Sequence, residues 1–130
     1  MIQPRRFKQL TVAVAFLAAV LTTPLPSMAQ APGNVKSITT TLSSNAARKE
    51  CLGLSAQQKL RYWYRADGPV DFAIQVVEDK KTLYPVKKDK SVIGSGNYQA
   101  KTPNDYCMVW TNAAKRPVTL SFEFARLGGG

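Results

Sequence analysis

The residue types that carry most enzyme chemistry are sparse in this chain. It has two cysteines, Cys51 and Cys107, and no histidine among 130 residues, so the commonest general base and metal ligand is missing. A reactive thiol needs its thiolate, and neither a Cys-x-x-Cys spacing nor an imidazole is present to stabilise one. The cysteines therefore point to one structural disulfide spanning 56 positions, with a redox or nucleophilic thiol as the alternative. With both oxidised, zinc and copper have no ligand set. The eight acids are scattered. They form no Asp-x-Asp-x-Asp-Gly calcium loop, and Asp67, Asp71, Asp79 and Asp89 sit in or near turns, where Asp is common for local hydrogen bonding. No metal and no cofactor is expected. Asp67 and Asp71 are a carboxylate pair close in sequence that would suit a hydrolase, although in a strand Asp71 would point away from Val70 and Phe72. No Gly-x-Ser-x-Gly or Ser-x-x-Lys context is present, and Gly94-Ser95-Gly96 has the composition of a turn rather than of a phosphate loop.

Two clusters suit binding instead. In Arg61-Tyr62-Trp63-Tyr64-Arg65, placing Leu60, Tyr62 and Tyr64 towards a core leaves Trp63 outward between two arginines. An exposed indole flanked by guanidinium groups can stack on a sugar ring or hold an anionic glycan. The plainer alternatives are arginine stems packed over the indole, or an inverted register that buries it. The second cluster is Lys80, Lys81, Lys87, Lys88 and Lys90, five lysines in eleven residues. They can contact an anionic lipid or lipopolysaccharide surface, or simply keep an edge strand soluble and unpaired, with Glu78, Asp79 and Asp89 blunting their field. Nucleic acid is not an expected partner, because no recognised motif is present.

Stepping outward, the N-terminus has the three parts of a secretory signal: Arg5, Arg6 and Lys8, an apolar run from Leu10 to Leu21, and Ser27-Met28-Ala29. The expected cleavage follows Ala29. The apolar run is well short of the roughly 20 residues of a membrane span, so an uncleaved anchor is the lesser alternative. Residues 1–29 are thus a signal peptide, 30–35 a flexible leader, 36–126 the domain and 127–130 a flexible tail. Removing the signal leaves 101 residues with a formal charge of +7, exported to a periplasm or to the exterior without a transmembrane anchor.

From residue 37 onward the apolar period is two. Ile38, Thr40 and Leu42 alternate with Ser37, Thr39 and Thr41, Leu60, Tyr62 and Tyr64 with Arg61, Trp63 and Arg65, and then Val70, Phe72, Ile74 and Val76 with Asp71, Ala73, Gln75 and Val77. The same holds for Tyr106, Met108 and Trp110, and for Val118, Leu120, Phe122 and Phe124. Turn chemistry at Asp67-Gly68-Pro69, Glu78–Lys81, Gly94–Asn97, Thr102–Asn104 and 112–117 separates these runs. Shorter strands are expected at Thr82–Val86 and Asn97–Lys101, and a brief helical turn at Leu54–Leu60. These elements define an all-β protein, an antiparallel β-sandwich of about seven to eight short strands closed by one disulfide.

The segments Cys51-Leu52, Pro69–Phe72, Tyr84-Pro85-Val86, Gly96-Asn97-Tyr98 and Asp105–Asn112 together resemble the GOLD domain, the Golgi-dynamics β-sandwich of secretory cargo receptors. The most specific part is Tyr106, Cys107, Trp110 and Asn112, and the resemblance spans Ser37–Ala125. It implies a partner for Cys107 at Cys51 and a stand-alone module that binds protein or lipid without catalysis. It does not imply coat or cargo binding, since neither a coiled coil nor a membrane anchor follows the sandwich. The expected function is an exported, soluble, non-catalytic binding or envelope-associated module with an unknown protein or glycan partner. The alternatives are a small secreted hydrolase with a carboxylate site and a structural subunit of an envelope assembly.

Overall fold

The computed structural model describes residues 34–128. The signal-peptide expectation for residues 1–29 lies outside them, as do four residues of the leader and the last two of the tail. Six antiparallel strands form the fold: β1 (Lys36–Leu42), β2 (Ala47–Leu54), β3 (Lys59–Glu78), β4 (Lys81–Gln99), β5 (Asn104–Asn112) and β6 (Val118–Leu127). Both β3 and β4 are long, about twenty residues each, and together they make one extended hairpin. Its turn, Asp79-Lys80, has both residues at positive φ, 50° and 64°, the two-residue geometry whose twist matches the flanking strands.

The free side of β3 is shared. Its first half, Lys59–Ala66, pairs with β6, and its second half, Val70–Gln75, pairs with β5. β1 then pairs with β6, and β2 with β5. The result is a curled sandwich of two leaves. The first leaf runs β1-β6-β3-β4 through the early half of β3, and the second runs β2-β5-β3-β4 through its late half. The bend between them is Asp67-Gly68-Pro69. There the Asp67 carboxylate accepts the Thr119 N–H at 2.8 Å, Arg116 donates to the Asp67 carbonyl at 2.7 Å, and Ala113 N–H donates to the Pro69 carbonyl at 3.0 Å. A Cβ on Gly68 would lie 2.7 Å from Val118, so no larger residue fits that corner.

Through this bend the alternation never changes phase. Leu60, Tyr62, Tyr64, Ala66, Gly68, Val70, Phe72, Ile74 and Val76 all face inward, which is what a strand passing from one leaf to the other must do to keep its apolar side on a shared core. The leaves meet through aromatic contacts: Tyr64 on Phe72 at 4.8 Å, Phe72 on Trp110 at 5.4 Å and Trp110 on Phe122 at 4.1 Å between ring centroids. The opposite side, between β1 and β2, has no ladder; there Glu50 bridges Lys36 and Arg48.

The all-β sandwich with one disulfide is therefore the observed class, with six strands because expected pairs have merged. Asp67-Gly68-Pro69 bends a strand rather than ending it. Gly94-Ser95-Gly96 lies inside β4, where Gly94 and Gly96 pair with Tyr64 and Tyr62. The tyrosine rings lean over these glycines, and a Cβ at Gly96 would lie 2.7 Å from the Tyr62 hydroxyl oxygen. The glycines admit aromatic rings; they do not reverse the chain. The segment before β3 is a non-helical turn with Gln57 at φ 73°. β2, not anticipated as a strand of its own, lies along β5 and sets Cys51 directly opposite Cys107, where they are disulfide-bonded.

Candidate functional site

Trp63 and its neighbours occupy the outer side of the first leaf. Because Tyr62 and Tyr64 are fixed inward by the aromatic core, Arg61, Trp63 and Arg65 must project outward. Trp63 keeps 38% of its surface exposed. Its cross-strand partners are Glu123 on β6 and Ser95 on β4. Arg61 stands between Ala125 and Asn97, and Arg65 between Ser121 and Ile93. The indole lies along a groove of about 700 Å³. That groove is lined by Arg61, Trp63, Ser95, Asn97, Glu123 and Ala125 among others; Arg65 shares the face but stands outside the lining. No arginine makes a cation–π contact with the indole among the described residues, where the contact of this kind is Lys36 over Phe124. The described ion pairs likewise leave Arg61, Arg65 and Glu123 unengaged.

Beneath this face the sheet is stiffened by Tyr64, whose hydroxyl meets Ser91 Oγ at 2.6 Å. Burial raises the pKa of the Tyr64 hydroxyl, and the Ser91 hydrogen bond partly opposes that rise. Burial likewise raises the Tyr62 pKa, with the Tyr64 phenolate adding to it.

The five lysines do not share one face. Lys80 and Lys81 are at the hairpin tip. Lys87 lies opposite Ala73 on the outer side of the second leaf, and Lys88 lies opposite Phe72, donating to the Ile93 carbonyl at 3.1 Å. Lys90 is in a bulge at φ 50°, where its backbone N–H donates to the Asp71 carboxylate at 2.9 Å. All five follow the free edge of β4, the strand with no partner beyond β3.

The carboxylate pair is also placed. Asp67 holds the bend and Asp71 closes the β4 bulge, so both are occupied by backbone N–H groups at opposite ends of a turn in the strand path. No group of three or more His, Cys, Asp or Glu residues that would hold a metal occurs among the described residues. None of their helices is long and apolar enough to cross a membrane.

No protein-family model matches the sequence, and no curated protein matches it. Its likeness is to folds. The Yersinia pseudotuberculosis-derived mitogen superposes with a TM-score of 0.59 at 9% identity, over 77% of this chain and 91% of that one. PliG from Aeromonas hydrophila, a periplasmic inhibitor of g-type lysozyme, gives 0.53 at 10% identity, over 72% and 86%. PliG from Salmonella Typhimurium, also a periplasmic inhibitor of g-type lysozyme, gives 0.52 at 9%, over 72% and 88%. Identities this low establish a shared curled β architecture. They also correct the GOLD resemblance, since the folds that superpose are those of a mitogen and two lysozyme inhibitors. The residues that suggested it have local explanations. Tyr106 and Trp110 are inward positions of β5, and Cys107 is the outward residue facing Cys51. Asn112 fastens the end of the sandwich by donating to the Leu42 and Arg116 carbonyls and accepting from the Ala114 N–H. Inward alternation is what any strand buried on one side shows, so the pattern does not single out one family.

Proposed function

We propose that the protein is an exported, non-catalytic binding module whose ligand surface is the outer face of the first leaf, centred on Trp63 with Arg61 and Arg65. The observation that carries this reading is an indole 38% exposed in a groove of about 700 Å³, beside two arginines without ion-pair partners among the described residues. A tryptophan left standing on a sheet costs solvation that packing could have recovered, and such residues mark contact sites. Both carboxylates that would serve a hydrolase hold backbone N–H groups instead, which favours binding over catalysis. Export is supported by the signal-like N-terminus and by the disulfide. The architecture is shared with two periplasmic proteins that their descriptions give as lysozyme inhibitors, which fits a β-module that works by contact.

Trp110 is fully buried and Trp63 is not, so acrylamide quenching of tryptophan fluorescence reads this face selectively. A true ligand protects Trp63 from quenching, and its binding is lost in Trp63→Ala. A ligand whose affinity is unchanged by Trp63→Ala refutes the placement of the site.

A further inference from the structure

Resting on that reading of the Trp63 face, we propose that the groove takes a pyranose saccharide bearing an ionised acid group. The first argument is shape. A protein partner requires about 800 Å² of surface on each side with an apolar, aromatic centre. On the outer face of the first leaf the exposed large apolar residues are Trp63, Val35 and Ile93, too few for such a centre. Around Trp63 that face presents Ser37, Thr39, Thr41, Thr119 and Ser121, joined in pairs such as Thr39 to Ser121 at 3.0 Å between hydroxyl oxygens. The groove volume instead falls in the usual small-ligand range of about 300–1,000 Å³. A flat indole with hydrogen-bonding groups at its margin matches the two surfaces of a pyranose, an axial C–H face and an equatorial ring of hydroxyls.

The second argument is chemical assignment. Ser95 and Glu123 flank Trp63 directly across the two ladders, and Asn97 flanks Arg61. Glu123 and the Asn97 carbonyl accept from sugar hydroxyls, while Ser95 and the Asn97 amide donate to them. The Arg61 guanidinium, free of ion pairs among the described residues, presents a planar fork suited to a carboxylate or a sulfate.

Charge is the third argument, and it separates this face from the other one. The outer side of the first leaf carries Lys59, Arg61 and Arg65 against Glu123. The outer side of the second leaf sets Lys49, Lys87 and Lys90 against Asp71, Asp89 and Asp105. The outer side of the first leaf as a whole therefore has a surplus of positive charge, with Arg61 and Glu123 as the charged residues lining the groove itself, and the outer side of the second leaf does not, so an anion is drawn to the first of these two sides.

The test titrates the oxidised protein with three trisaccharides of matched length, one uronic, one sulfated and one neutral, following Trp63 quenching and calorimetric heat. The expected result is binding of an acidic sugar at least about tenfold tighter than the neutral one. That preference should weaken at raised salt, and Arg61→Gln should abolish it while leaving the fold intact by circular dichroism. Comparing the uronic and sulfated arms identifies which acid the fork accepts. Equal binding of all three sugars, lost in Trp63→Ala, keeps the ligand face and overturns the acid requirement. Acidic-sugar binding that survives both Trp63→Ala and Arg61→Gln overturns the inference and the placement of the face together. No binding of any sugar at millimolar concentration overturns the saccharide, and leaves the Trp63 face to be judged by the quenching assay on other ligands.

Discussion

The two outer faces of this sandwich are built from the same long hairpin and both carry charges of either sign, yet they are organised in opposite ways. On the second leaf the side chains are tied down. Cys51 is bonded to Cys107, and Asp71 is bonded to the bulge at Lys90. On the first leaf Arg61, Trp63, Arg65 and Glu123 are engaged with none of one another by ion pair or cation–π contact among the described residues. A sheet has one side to spend on its core, and the other is free to hold the chain together or to meet a ligand. Under the proposed function the two uses are separated onto different leaves.

The comparison can be broken most directly at the disulfide. Replacing Cys51 and Cys107 with Ala reopens a 56-residue separation, and the loop-entropy argument assigns a loss on the order of 4 kcal/mol. Denaturant midpoints should fall accordingly, while Trp63 quenching of the still-folded fraction stays unchanged; altered quenching would show that the faces are coupled. Next is Gly94→Ala, which pushes a methyl into the Tyr64 ring on the inner side. It should destabilise by about 1–3 kcal/mol, visible as a lower melting temperature. Asp71→Asn should cost about 1–2 kcal/mol by weakening the charge-assisted bond at the bulge. The matching change on the first leaf, Glu123→Gln, should alter stability by less than about 0.5 kcal/mol. Equal losses from these two would erase the distinction between the faces. The smallest effect is reserved for the lysine edge: changing Lys80, Lys81, Lys87, Lys88 and Lys90 to Gln should leave the protection of Trp63 from acrylamide quenching by ligand unaltered.

Much of this arrangement is legible in the sequence, and its gaps have specific causes. The orientation of Trp63 follows from parity with Leu60, Tyr62 and Tyr64. The groove around it does not, because Ser95 and Glu123 are contributed by strands far along the chain. The continuity of β3 is written in the unbroken even phase from Leu60 to Val76, but the turn chemistry of Asp67-Gly68-Pro69 outweighs it in a local reading. Gly94 and Gly96 look like a turn because the reason for them, two tyrosine rings, lies thirty or more positions earlier. β2 is hidden because its inward positions include Arg48 and Glu50, which serve the ion bridge to Lys36 across the open side and so break the apolar pattern. Asp71 gives no local sign of its task, since the bulge it closes belongs to the neighbouring strand.

The long hairpin also sets the order in which the chain can assemble. β3 and β4 are joined by a two-residue turn and can zip together within microseconds, whereas β1 must find β6 from Lys36 to Phe124, across most of the folded chain. Mean contact separation of this kind slows folding into the millisecond-to-second range. During that interval the hairpin stands alone with both edges open. The lysines between positions 80 and 90, together with Pro85, guard one half of the β4 edge, but Ser91–Gln99 carries no charge at all. That nine-residue stretch is where a nascent chain would pair with a second one, so chaperone demand and aggregation during folding should concentrate there.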